Sequence, residues 1–158
     1  MDLRLSETAS FQASPEAVWA TLANLDNMAL FSGYGPIPGI AEARWIEGDS
    51  FRAGAVREIR NRDGSVHRED IAAAVAPSLL EDRIHGFTSP LRFLVREARD
   101  RFVLVADEQG NGTRLDRTFT LELRSALVAP LAALLLPLLR RAIRRHHANL
   151  AVRLTSDA

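Results

Sequence analysis

The sequence predicts an α+β domain, an antiparallel sheet with its helices gathered on one side. Three observations carry this. Alternating apolar and polar segments, separated by turn signals, follow one another from Ala41 to Arg124. A helix start stands before them at Ser14-Pro15-Glu16. A long helix-prone segment, 125–154, closes the chain and needs an apolar sheet surface to lie on.

Leu3, Leu5, Ala9 and Phe11 alternate with Arg4, Ser6, Thr8 and Ser10, the pattern of a half-buried strand. Ser14 is placed to cap a helix with Pro15 in its first turn and Val18, Trp19, Leu22 and Leu25 on its apolar side. Asp26 is placed to cap a second short helix through Phe31. Glycine and proline crowd the stretch from Ser32 to Ile40, which predicts an irregular loop. Tyr34 and Ile37 would stand at its tip, where they could gate a cavity.

Strands are expected at 41–47, 54–61, 66–75, 79–87, 91–99, 101–108 and 113–124. Asp63-Gly64 marks a hairpin between the second and third of these. If those two are the central turn residues, Glu58 lies opposite Glu69 and Arg60 opposite His67; a loop one residue longer changes the pairing, and which face of this hairpin lines the cavity stays open. The last strand separates most cleanly, with Leu115, Arg117, Phe119, Leu121 and Leu123 on one face.

The closing segment has two halves. From Ala126 to Leu139 it carries no charge, contains Pro130 and Pro137, and is shorter than the about 18–20 apolar residues of a spanning helix. A buried, kinked helix is expected here, with peripheral membrane contact as the alternative. Beyond it, Leu139, Ala142, Ile143, Leu150 and Leu154 share one face, which leaves Arg140, Arg141, Arg144 and Arg145 to water.

At 158 residues the chain is expected to form one domain, 1–158, with a substantial core. Basic and acidic residues balance at 20 each, so no overall field favours nucleic acid. There is no stripe of basic residues with interleaved aromatics either. The absence of cysteine removes disulfides, thiol nucleophiles and thiolate metal sites. No metal or other cofactor is expected: His146 and His147 are adjacent and point about 100° apart on a helix. Met1 to Leu5 lacks the apolar core of a secretory leader, so a cytoplasmic location is expected.

These segments resemble the SRPBCC superfamily, the START-like or helix-grip proteins that include polyketide cyclases, dehydrases and lipid-transfer domains. The likeness is carried by the run Phe11 to Trp19, by Gly54 to Arg60, by Asp63 to Ile71, by Gly112 to Leu115 and by the closing helix. It implies a curved antiparallel sheet gripping the long C-terminal helix, with two short helices after the first strand and a deep cavity between sheet and helix. Relatives often carry a tryptophan near the position of Arg117, where this chain departs from them. The superfamily is diverse in activity, so the resemblance speaks to fold more than to function.

Two functions are open. One is binding of a hydrophobic small molecule such as a lipid, fatty acid or polyketide, with Arg117, Phe119, Tyr34, Ile37, Trp45, Leu131 and Leu135 expected around it. Arg117 interrupts an apolar face, so it requires a carboxylate partner or an anionic ligand. The alternative is a polyketide cyclase or dehydratase, with Glu58, Glu69 or His85 as acid or base. No complete set of nucleophile, base and orienting group can be read from the chain, which favours binding.

Overall fold

The computed structural model describes residues 1–157. After β1 (Asp2–Phe11) come α1 (Pro15–Leu22) and a 3₁₀ turn at Leu25–Leu30. A small ribbon follows, β2 (Gly33–Tyr34) and β3 (Ile37–Pro38), and then six strands in succession. These are β4 (Ile40–Glu47), β5 (Val56–Asn61), β6 (Val66–Val75), β7 (Leu79–His85), β8 (Val95–Ala106) and β9 (Thr113–Leu123). The chain closes with a 3₁₀ turn at Ala126–Val128, α2 (Ala129–Ala133) and α3 (Leu136–Ser156). Seven strands form one antiparallel sheet in the order β1-β9-β8-β7-β6-β5-β4. Its inner face is covered by α3 and by the helical segments after β1. The predicted helix-grip architecture is the observed one.

Local chemistry explains most of these elements. Ser14 accepts a hydrogen bond from the Ala17 amide at 3.2 Å, and Pro15 fills a first-turn position whose missing N–H costs nothing. The predicted second helix is instead a 3₁₀ turn, capped by Asn24, which accepts from the Asp26 amide at 3.0 Å. The glycine- and proline-rich loop is more regular than expected because β2 and β3 pair within it. Gly33 makes this possible: a Cβ there would lie 2.3 Å from the Ile37 carbonyl oxygen.

Two departures from the sequence expectations bear on the site. The β5–β6 hairpin places three residues, not two, in its loop: the Asn61 amide donates to the Ser65 carbonyl at 2.8 Å, with Gly64 at φ +84°. Arg57 therefore faces Glu69, and Glu58 faces Arg68. A one-residue slip turns every β5 side chain to the other face. The expected strands at 91–99 and 101–108 are one continuous strand, β8, with Asp100 in its middle.

The closing segment is broken, not merely kinked: its two halves meet at 54°. Pro130 and Pro137 each occupy the first turn of a new helix, where proline is tolerated, so they start helices rather than bend one. No single described helix is long and apolar enough to cross a membrane. Leu139, Ala142, Ile143 and Leu150 are buried under α3 as expected. The uncharged half is not buried as a whole: Ala132 is, but Leu127, Leu131 and Leu134 are exposed.

Candidate functional site

Between the sheet and α3 lies a cavity of about 380 Å³, within the usual size range for small-molecule sites. Its walls are mainly apolar, including Phe31, Ile37, Leu80, Ile84, Phe119 and Leu139. Alternation along successive strands aims one charged side chain from each of β5 to β9 at this interior. They are Arg57, Glu69, Asp82, Asp100 and Arg117, all buried and all in the cavity wall. Asp82 stands directly opposite Asp100 in the β7–β8 register, and Arg57 directly opposite Glu69 in β5–β6. A belt of charge thus crosses the concave face.

Most of the belt is saturated. Asp100 takes both sides of the Arg117 fork, Oδ1 from Nε at 2.8 Å and Oδ2 from Nη2 at 2.5 Å. Arg117 Nη1 donates to His146 Nδ1 at 2.9 Å, and the guanidinium carbon lies 4.5 Å from the Phe102 ring centroid. A guanidinium can only donate, so His146 accepts at Nδ1 and is neutral there. Burial pushes the His146 imidazole well below its ordinary range, and the Arg117 charge pushes it further. Glu69 accepts from Arg57 Nε at 2.7 Å and from His67 Nε2 at 3.1 Å.

Asp82 is the exception. Arg57 Nη2 donates to its Oδ2 at 2.9 Å, but Asp82 Oδ1 and Arg57 Nη1 have no hydrogen-bond partner among the described residues. Burial drives the Asp82 carboxyl up to about 7, opposed by Arg57 and reinforced by the Glu69 and Asp100 charges. For Glu69 burial pulls the same way, but Arg57 and His67 outweigh it and hold the carboxyl at about 2. The geometry agrees: Glu69 takes two Arg57 nitrogens and a histidine, Asp82 only one nitrogen. Two guanidiniums balance Glu69 and Asp100, so the belt is neutral with a proton on Asp82.

The sequence matches the family described as "Polyketide cyclase / dehydrase and lipid transport" over residues 2–155. The chain belongs to this family, within the SRPBCC superfamily. Solved structures agree on the fold. Ara h 8.0201 superposes with TM-score 0.77 at 17% identity, covering 99% of each chain. A protein from Nitrosospira multiformis gives 0.72 at 15% identity, covering 98% of each. Protein Ms6760 from Mycobacterium smegmatis gives 0.65 at 19%, covering 99% of this chain and 93% of that one. No curated protein matches the sequence.

Within this cyclase/dehydrase-family fold the residues singled out from sequence scatter. Arg117, Phe119, Ile37, Leu135 and Glu69 line the cavity. Tyr34 does not: its hydroxyl accepts from Arg141 on α3 at 2.8 Å, because the β2–β3 ribbon turns the ring toward that helix. Trp45 lies near the end of β4 and packs edge-on against Phe51, 5.1 Å between ring centroids. Leu131 points away from the cavity, 56% exposed, since α2 buries Ala132 instead. Glu58 is on the outer sheet face and accepts from Arg44 at 2.8 Å. His85 is also outside, 2.9 Å from Asp70, because Asp82 and Ile84 hold the inward positions of β7.

Sequence reasoning missed Arg57, Asp82 and Asp100, paired His67 with Arg60 where the structure pairs it with Glu69, and weighed His146 only as a metal ligand. A signal existed for the first three. Each is a charged residue between apolar neighbours two positions away: Ala55 and Ile59, Leu80 and Ile84, Ala98 and Phe102. Arg117 was noticed by that same logic. The cut at residue 100 hid Asp100, and the slipped hairpin register hid Arg57.

Proposed function

We propose that the protein binds a hydrophobic small molecule between the sheet and α3, its apolar body on the cavity walls and an oxygenated end toward the Arg57–Asp82 pair. The observation that carries this reading is the apolar cavity with a buried belt of charge in its wall, in which only Arg57 and Asp82 keep unpartnered atoms among the described residues. Family membership is consistent with it. Because the belt is neutral with Asp82 protonated, a carbonyl or hydroxyl suits it better than a carboxylate, which would add buried charge. Arg117, already held by Asp100 and His146, is not the anchor for an acid.

Native mass spectrometry followed by organic extraction of the purified protein tests for a bound molecule directly. Titration with 2-acetylnaphthalene and with 2-naphthoate tests the polar end, with at least about tenfold tighter binding of the ketone expected. A preference for the acid, or no difference, overturns the neutral-end assignment.

A second reading is an enzyme of cyclase or dehydratase type with Asp82 as acid and base. It is favoured by one observation, a buried carboxyl with an unpartnered oxygen in the wall of an apolar cavity, whose burial pushes it well above the ordinary carboxylate range. Its test is exchange of the methyl protons of 2-acetylnaphthalene into deuterium oxide, followed by NMR. Exchange lost in Asp82→Asn with ketone binding retained supports catalysis. Equal exchange in the two proteins rejects it.

A further inference from the structure

Outside the cavity, two segments packed side by side expose large apolar side chains to water. One is the 3₁₀ turn Pro90–Phe93, where Phe93 is 64% exposed. The other runs from Ala126 through α2 into Leu135, where Leu127 is 92%, Leu131 56% and Leu134 67% exposed. Their adjacency is direct: the Arg124 amide donates to the Leu94 carbonyl at 3.0 Å, and Arg124 Nε donates to the Arg92 carbonyl. Beneath them, Leu91, Leu94, Val128, Ala129 and Ala132 belong to one apolar cluster. An exposed, uncharged helix with a polar flank is the composition of an interfacial segment.

The charges carried by these two segments have one sign. No acidic residue occurs from Gly86 to Arg96 or from Leu123 to Ser156. Arg92 stacks on Phe93, 4.6 Å from the ring centroid, and donates to the Thr88 carbonyl, whereas Arg124 donates to a carbonyl of the neighbouring segment. Neither has a carboxylate partner among the described residues. Arg96 is paired with Glu122 at 3.0 Å, and Arg140 with Glu7, so those two are not counted.

We infer that this face, with Phe93, Leu127, Leu131 and Leu134 as the inserted side chains and Arg92 and Arg124 beside them, docks on an anionic phospholipid surface. Apolar insertion and guanidinium–phosphate attraction then act on the same patch. The segments that dock also supply Pro90, Leu91, Leu94 and Leu135 to the cavity wall. Docking would therefore bring that wall to the bilayer, where an apolar molecule could be exchanged. The inference rests on the surface alone and stands apart from the identity of any ligand.

The test is co-sedimentation with vesicles of phosphatidylcholine and of phosphatidylcholine mixed with phosphatidylglycerol. Stronger binding to the anionic vesicles, weakened by salt and reduced at least about tenfold in Leu127→Ser/Leu131→Ser, is the expected result. Leu127→Trp adds a readout on a folded protein: beyond any change in the wild type, whose emission comes from Trp19 and Trp45, its emission should shift to the blue with anionic vesicles and be quenched by brominated lipid. Absent vesicle binding, or undiminished binding by the double variant, overturns the proposal. So does a chain that self-associates through this patch in solution, with Leu127→Ser/Leu131→Ser becoming monomeric and the Leu127→Trp emission insensitive to lipid.

Discussion

Asp100 and Arg117 face each other diagonally across β8 and β9 and form a fork-to-fork pair, both carboxylate oxygens against Nε and Nη2. Neither side chain is more than a few per cent exposed. Removing one partner of such a pair strands the other charge, whereas replacing both with apolar residues leaves nothing unpaired. Arg117→Leu is therefore predicted to cost about 3–5 kcal/mol. Asp100→Leu/Arg117→Leu should recover much of that in urea unfolding. A double variant no more stable than the single would remove the pair from the account.

Asp82 makes a pH prediction whose sign follows from proton counting. Its folded value of about 7 lies above the ordinary 3.8, so between these limits the folded chain holds a proton that the unfolded chain has released. On this account stability is complete below pH 4 and falls as the pH rises toward 7. Asp82→Asn cannot ionise and should be the more stable protein at pH 8, by roughly 1–3 kcal/mol. Urea midpoints at pH 5 and pH 8 check this, and identical shifts in both proteins would contradict it.

His147 pulls the other way. It is buried in α3 and held at about 4, by burial first and by the Arg117 charge second, against an ordinary 6.5. Between pH 4 and 6.5 the unfolded imidazole binds a proton that the folded one refuses, so stability falls as the pH drops through this window. His147→Gln should flatten that acid-side loss by roughly 2–4 kcal/mol. Unfolding midpoints at pH 7 and pH 4.5 that move equally in variant and wild type would show that His147 is not the group.

The two halves of the closing segment should respond oppositely to truncation. Ile143 is 1% exposed under α3, and Ile143→Ala should cost about 2–4 kcal/mol. Leu127 is 92% exposed, and Leu127→Ser should lie within about 0.5 kcal/mol of wild type. Thermal melts distinguish them. A large loss at Leu127 would mean that this side chain is covered in solution.

Glu58 and His85, on the outer face, should be dispensable for ligand binding. Arg44–Glu58 is a surface pair, and such pairs contribute about 0–1 kcal/mol. Glu58→Gln and His85→Gln should leave the affinity for 2-acetylnaphthalene unchanged. A tenfold loss in either would place the site elsewhere.

Much of the fold could be read from the residues because it rests on short-range rules. The strand alternation, the Ser14 cap and the apolar stripe of α3 each depend on neighbours within a few positions. The belt could not be read in full, because it depends on which residues of different strands meet. A single loop residue between Asn61 and Ser65 decided whether Glu69 met Glu58 or Arg57. The continuity of β8 through Asp100 likewise decided whether a third carboxylate faced inward.

By itself, then, the chain determined an antiparallel sheet, a capped first helix, an amphipathic closing helix and an inward-facing Arg117. Periodicity and capping are local, and they survive any error in register. Only the tertiary structure decided that Arg117 is matched by Asp100 and His146, that Asp82 is the under-satisfied carboxyl, and that Leu127 and Leu131 face water. Those outcomes are set by long-range pairing and by competition for buried hydrogen bonds, quantities that no stretch of neighbouring residues contains.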